Sequence, residues 1–216
     1  MTISLSDAGK RFNRDWIFRH LTYQFETGMS YAITGPNGSG KSTLLQVLGG
    51  AMMLNEGHIR MEDGGGRRET GGGSQGFDIP VESFYRYVSF CAPYLEVVEE
   101  MTVTEFLDFH QGFKPFLAGW TTGKIIELTG LEKAMNKQIR YYSSGMKQRV
   151  KLAQCIFSDT PVVLLDEPCT NLDAAGIALY HSLIQGYCKD RLVLVSSNDE
   201  TEYSFCTHRI NLSDYK

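Results

Sequence analysis

The sequence predicts a doubly wound α/β fold, on three observations. First, the glycine-rich stretch Gly35-Pro36-Asn37-Gly38-Ser39-Gly40-Lys41-Ser42-Thr43 follows an apolar run, Tyr31-Ala32-Ile33-Thr34. A helix-like pattern with Leu44, Leu45 and Leu48 on one side comes after it. Second, Val162-Val163-Leu164-Leu165 and Leu192-Val193-Leu194-Val195 are continuously apolar, as strands covered on both faces must be. Third, a helical pattern from about Ala174 to Tyr187 separates these two runs. Buried strands alternating with helices place ligands at the carboxyl ends of the strands.

Taken in order, residues 2 to 34 read as edge strands, Thr2 to Leu5, Trp16 to Tyr23 and Ser30 to Thr34, with turns at Asn13-Arg14-Asp15 and Glu26-Thr27-Gly28. His58 to Met61 is a short strand. Residues 62 to 76 are rich in glycine and offer no packing surface, so a flexible loop is expected there. Tyr85 to Phe90 is a strand candidate. Thr102-Val103-Thr104-Glu105 has the spacing of a capping box and opens a helix through Phe106, Leu107 and Phe109. Lys124 to Leu128 and Leu131 to Lys137 read as short helices. Ser143 or Ser144 caps a longer one, in which Met146, Val150, Ala153 and Phe157 recur at three and four residues. His208 to Leu212 is the last strand candidate.

Composition narrows the class. Of 216 residues, 42% are hydrophobic and 21% charged, enough to build a core, and the net charge of -4 gives no strong sign of nucleic-acid binding. The five cysteines, an odd number without a CxxC pair, read as reduced thiols. No apolar run nears the ~18 residues of a membrane span, and the N-terminus lacks the pattern of a secretory leader.

The chemistry sits in two places. In the loop, glycines let backbone N–H groups turn inward on phosphate oxygens, and the helix N-terminus adds its dipole. Lys41 is expected to reach the β and γ phosphates, and the Ser42 hydroxyl to ligand Mg²⁺. After the first apolar run, Asp166 is placed to hold Mg²⁺, directly or through water, and Glu167 to aim and deprotonate a water. Asp173 reads either as a helix cap or as a residue pointing across a subunit boundary. Phe12 and Trp16 are ordinary strand aromatics or stacking surfaces for an adenine.

Together these motifs resemble the ATP-binding subunit of ATP-binding-cassette (ABC) transporters. Gly35 to Thr43 matches that family's Walker A loop, Val162 to Pro168 its Walker B strand, and Asn171-Leu172-Asp173 its D-loop. Tyr142-Ser143-Ser144-Gly145-Met146-Lys147-Gln148 is similar to the signature motif, with Ser143 and Gly145 retained. The resemblance implies a P-loop NTPase core with a mixed or parallel sheet, an N-terminal antiparallel β subdomain and an inserted helical subdomain. In it the whole chain, 1–216, is one ABC ATPase domain. Residues 1–100 and 158–216 form the nucleotide-binding core, and 101–157 the helical part.

By the same resemblance, ATP is held by Phe12, Gly35, Asn37, Gly38, Ser39, Gly40, Lys41, Ser42 and Thr43. Ser143, Gly145 and Asp173 reach the nucleotide of the other subunit in a head-to-tail homodimer or heterodimer. Mg²⁺ is held by Ser42 and Asp166, and catalysis falls to Glu167, Lys41 and Asn198. A separate transmembrane permease is the implied partner, with the chain peripheral on the cytoplasmic face. Tyr94, Leu95, Val97 and Val98 either receive a helix of that partner or pack within the helical part. The family's glutamine after the strand ending near Phe90 is absent, and Asn198 replaces its histidine, so binding is expected to survive and hydrolysis to be slow. Two other readings are a soluble ABC-type ATPase acting on a ribosome, nucleic acid or protein assembly, and a nucleotide-gated subunit with little turnover. The basic run Lys147, Arg149 and Lys151 bears on the first of these.

Overall fold

A computed structural model describes residues 1–63 and 77–216. The N-terminal strands β1 (Thr2–Phe12) and β2 (Asp15–Glu26) pair antiparallel around a turn at Asn13, whose φ of 54° lies in the left-handed region that Asn tolerates. The third strand, β3 (Ser30–Thr34), leads through the glycine-rich loop into α1 (Lys41–Leu48). Next, β4 (Glu56–Asp63) and β5 (Phe77–Ile79) complete a four-stranded antiparallel sheet in the order β2-β1-β4-β5. Glu62 and Asp63 therefore belong to a strand. The rest of the loop expected at 62–76 lies outside the described residues.

The second sheet is wholly parallel. It holds β6 (Val88–Cys91), β7 (Val162–Asp166), β8 (Leu192–Ser196) and β9 (His208–Asn211), with β3 inserted, in the order β6-β7-β8-β3-β9. Neither β3 nor β1 is an edge strand, contrary to expectation. The Tyr31-Ala32-Ile33-Thr34 run has no polar face, and all four residues are buried between neighbours, as an interior parallel strand requires.

Between β6 and β7 lie α2 (Val103–Gln111), α3 (Thr122–Leu128) and α4 (Ser144–Phe157), while α5 (Ala174–Tyr187) joins β7 to β8 and α6 (Glu200–Tyr203) precedes β9. The capping box at Thr102 forms as expected. Leu131 to Lys137 holds only a 3-10 turn at Glu132–Ala134. The strand expected from Tyr85 is likewise a 3-10 turn, Val81–Arg86, and pairing starts at Val88. Here Tyr85-Arg86-Tyr87 copies strand alternation, but the buried anchor is Phe84, and Tyr87 N–H closes the turn on Phe84 C=O at 2.9 Å.

Period-two alternation divides the core between the two sheet faces. Val163, Leu165, Val193 and Val195 pack with α2, α3, α4 and α5. Val162, Leu164, Leu192 and Leu194 pack with α1 and the antiparallel sheet. Both faces covered, the sheet leaves its strand ends as the place where polar groups can gather. The ends of β3, β6, β7 and β8 lie side by side there, because all their pairings are parallel and in register.

Candidate nucleotide site

The loop after β3 depends on its glycines. Gly35, Gly38 and Gly40 have φ of 143°, 75° and 102°, which side chains rarely adopt. A Cβ on Gly40 would also stand 2.0 Å from Ile17 Cγ2, so β2 braces the loop from below. Lys41 is buried, and its ammonium donates to Gly35 C=O at 2.8 Å and Pro36 C=O at 3.3 Å. Burial lowers its pKa first, and the facing carboxylates of Glu167 and Asp166 oppose that. Three groups named from separate parts of the sequence thus share one electrostatic site. Asn37 Oδ1 accepts from Asn198 Nδ2 at 2.7 Å, which ties the end of β8 to the loop.

Asp166 is 2% exposed, whereas Glu167 is exposed, at a φ of 43°, with its N–H bound to Ser196 C=O at 2.9 Å. Of the two adjacent carboxylates, only Asp166 therefore bears the cost of burial. No basic side chain forms an ion pair with Asp166 among the described residues, and Ser39 Oγ is buried without a partner there. A buried carboxylate without an ion pair, taken with the Ser42 hydroxyl, is an all-oxygen donor set that suits Mg²⁺, a hard cation that keeps water and phosphate ligands. The described residues hold no cluster of three or more His, Cys, Asp or Glu that could cage a metal ion.

Phe12 sits at the β1–β2 turn, 46% exposed, with the Lys10 ammonium 5.4 Å from its ring centre. The guanidinium groups of Arg19 and Arg11 lie 4.5 Å and 5.5 Å from the centre of the Trp16 ring, which is thus engaged within the chain. The signature-like residues lie elsewhere. Ser143 caps α4, its Oγ accepting from Met146 N–H at 3.3 Å, so the choice between Ser143 and Ser144 falls to Ser143. Asp173 caps α5 through Gly176 N–H at 2.8 Å, and Arg149 approaches the same oxygen at 3.5 Å. Ser143, Gly145 and Asp173 line a hollow of about 250 Å³ that includes no residue of the phosphate loop. A Cβ on Gly145 would lie 2.9 Å from Asn171 C=O, so the start of α4 and the loop before α5 touch backbone to backbone.

Other contributors were not legible beforehand. Gln148 is buried and donates to Pro168 C=O at 2.7 Å, joining α4 to the turn after Glu167. The three basic residues of α4 are engaged within the chain: Lys147 with Glu99, Arg149 with Asp173, and Lys151 with Pro93 C=O. Of the four residues read either as a seat for a partner helix or as packing within the helical part, Val97 is 7% exposed and takes the second role. Tyr94 and Leu95 instead line an apolar groove of about 410 Å³ with Tyr85, Phe90 and Lys114. The five cysteines are unpaired, four of them buried, and no helix among the described residues is long and apolar enough to cross a membrane.

A glycine loop gripping a lysine, a buried aspartate and an exposed glutamate, gathered at the strand ends of a doubly wound sheet, define an ATPase of the phosphate-loop class. The family model described as ABC transporter matches residues 18–170, and the chain belongs to that family, as one of its ATPase domains. It is 29% identical over 203 residues to the cytochrome c biogenesis ATP-binding export protein CcmA of Rhizobium meliloti (strain 1021), covering 93% of this chain and 92% of the relative. Its fold is that of the ATP-binding subunit of an ABC transporter, with a TM-score of 0.78 and 20% identity, covering 98% and 85% of the two chains. A dimeric ATP-binding cassette in a post-hydrolysis state, bound to ADP and Pi, has a TM-score of 0.76 and 18% identity, covering 97% and 93%.

Proposed function

We propose that the chain binds Mg-ATP at the loop of residues 35–43 and hydrolyses it between two head-to-tail subunits, driving a separate membrane permease. Lys41 and the loop amides hold the β and γ phosphates. Glu167 aims and deprotonates the attacking water, and its exposure leaves it open to that water. Bound magnesium supplies charge neutralisation on the phosphates, with Ser42 and Asp166 as its protein ligands. Asn198, whose amide already donates to Asn37 Oδ1, has one further neutral N–H to offer the γ-phosphate, so turnover is expected to be slow. Phe12 offers a ring face to the adenine. The observation that carries the reading is the glycine loop gripping the buried Lys41 at the strand ends, where the buried Asp166 and the exposed Glu167 also stand. The signature hollow, separate from the loop, supports the second half, because Ser143 and Gly145 then act on the nucleotide of the other subunit.

The apolar groove beside Tyr94 and Leu95 is the proposed seat of a helix from the permease, on the cytoplasmic face of the membrane. Export is the direction suggested by the name of the Rhizobium meliloti relative. The test is Glu167→Gln in the full chain. Phosphate release is expected to fall at least about 100-fold, the low end of what a general base contributes, with ATP affinity kept. Unchanged release would remove Glu167 as the base.

A further inference from the structure

We propose that Glu202 and Gln148 are positioning residues for Glu167, clamping the peptide between Pro168 and Cys169 in the turn that carries it. The inference rests on the reading of Glu167 as the base. Two buried side chains from different helices take both polar groups of that one peptide. Gln148 Nε2, from α4, donates to Pro168 C=O at 2.7 Å. Cys169 N–H donates to Glu202 Oε1, from α6, at 2.8 Å.

The turn needs such support. Glu167 has a φ of 43°, in the left-handed region that a Cβ disfavours, so surrounding contacts must maintain it. Its N–H is bound to Ser196 C=O at 2.9 Å, and its C=O accepts from Thr170 N–H at 3.1 Å. The clamped peptide is the middle of the turn that this second bond closes. Fixing its plane fixes the course of the chain on which the Glu167 carboxylate stands.

Glu202 is itself held from two sides. The Tyr180 hydroxyl, from α5, donates to Glu202 C=O at 2.8 Å, and Asp199 caps α6 through Thr201 N–H at 2.9 Å. Asn198 precedes Glu202 by four residues, so the clamp also ties the base to the segment that carries Asn198. Packing alone does not account for a carboxylate here. Glu202 is 5% exposed, and its Oε2 is buried with no hydrogen-bond partner among the described residues. No basic side chain among them pairs with it either. A leucine would fill the space without that burden, but would leave Cys169 N–H unbound.

The experiment measures phosphate release by the full chain across ATP concentrations, with a urea midpoint for each variant. Glu202→Leu is expected to lower kcat about tenfold, the effect of a slightly misaimed base, with KM for ATP unchanged. Glu202→Gln, whose amide oxygen accepts the same N–H, recovers most of that loss. Gln148→Leu lowers kcat in the same way, and carries the test if Glu202→Leu does not fold. Added to Glu167→Gln, either leucine variant removes no further activity, because each acts through that residue. Three results overturn the clamp: an unchanged kcat in either leucine variant, no recovery in Glu202→Gln, or a further loss of the same size in the Glu167→Gln background. Release insensitive to Glu167→Gln overturns the reading of the base and this inference together.

Discussion

Gly40 illustrates how a single position can be fixed by two independent demands. Its φ of 102° excludes a Cβ on backbone grounds, and Ile17 Cγ2, 2.0 Å from where that Cβ would stand, excludes it again by contact. Gly40→Ala is therefore expected to destabilise the fold by about 2–4 kcal/mol, combining backbone strain with overpacking. Adding Ile17→Ala relieves the contact but not the strain, so chemical unfolding of the double variant should recover only part of the loss. Full recovery would mean that the backbone term is absent. The glycines were legible in the sequence because a phosphate loop makes its demand locally, within nine consecutive residues. Ile17 and Gln148 were not legible, since each is placed by strand register or helix packing that spans distant parts of the chain.

Helix α2 carries a polar device that should respond to pH. His110 Nδ1 accepts from Gln154 Nε2 at 3.1 Å, its Nε2 pairs with Ser158 Oγ at 2.8 Å, and that hydroxyl donates to Gln154 C=O at 2.6 Å. The ring of bonds is complete for a neutral imidazole protonated at Nε2, and a second proton would face the Gln154 amide. Burial, then the nearby Lys114, lowers the His110 pKa to about 4. The unfolded chain takes up that proton near its ordinary value of about 6.5. Stability from this residue is thus complete above about pH 6.5 and lost as pH falls toward 4, on the order of 1–2 kcal/mol after solvent screening. His110→Gln should flatten that part of a plot of urea midpoint against pH; an unaltered slope would clear His110 of the role. The capping box opening α2 was readable because its two partners lie three residues apart. The strand expected at Tyr85 failed for the opposite reason, since only the contact of Phe84 with the core distinguishes a 3-10 turn from local alternation.

At the scale of the whole molecule, the proposed dimer rests on two separate surfaces. The phosphate loop belongs to the β3–α1 junction, and the signature hollow to the starts of α4 and α5, with no lining residue in common with that loop. On the proposed reading, each is completed by a second copy or a related subunit placed head to tail. The formal charge of -4 per chain opposes pairing weakly and is largely screened at physiological salt, so on this reading the bound triphosphate is expected to decide the association. In Glu167→Gln, which keeps ATP intact, sedimentation should find monomers without nucleotide and dimers with Mg-ATP. Ser144→Glu supplies the sharper contrast. Ser144 is exposed in the first turn of α4, where a carboxylate complements the helix dipole, so the variant should fold with a few tenths of a kcal/mol to spare. The same carboxylate would face the γ-phosphate of the other subunit and repel it. Combined with Glu167→Gln, it should leave ATP affinity of the monomer unchanged and abolish the Mg-ATP dimer. A dimer that persists in the combined variant would place the contact between copies somewhere other than the signature hollow.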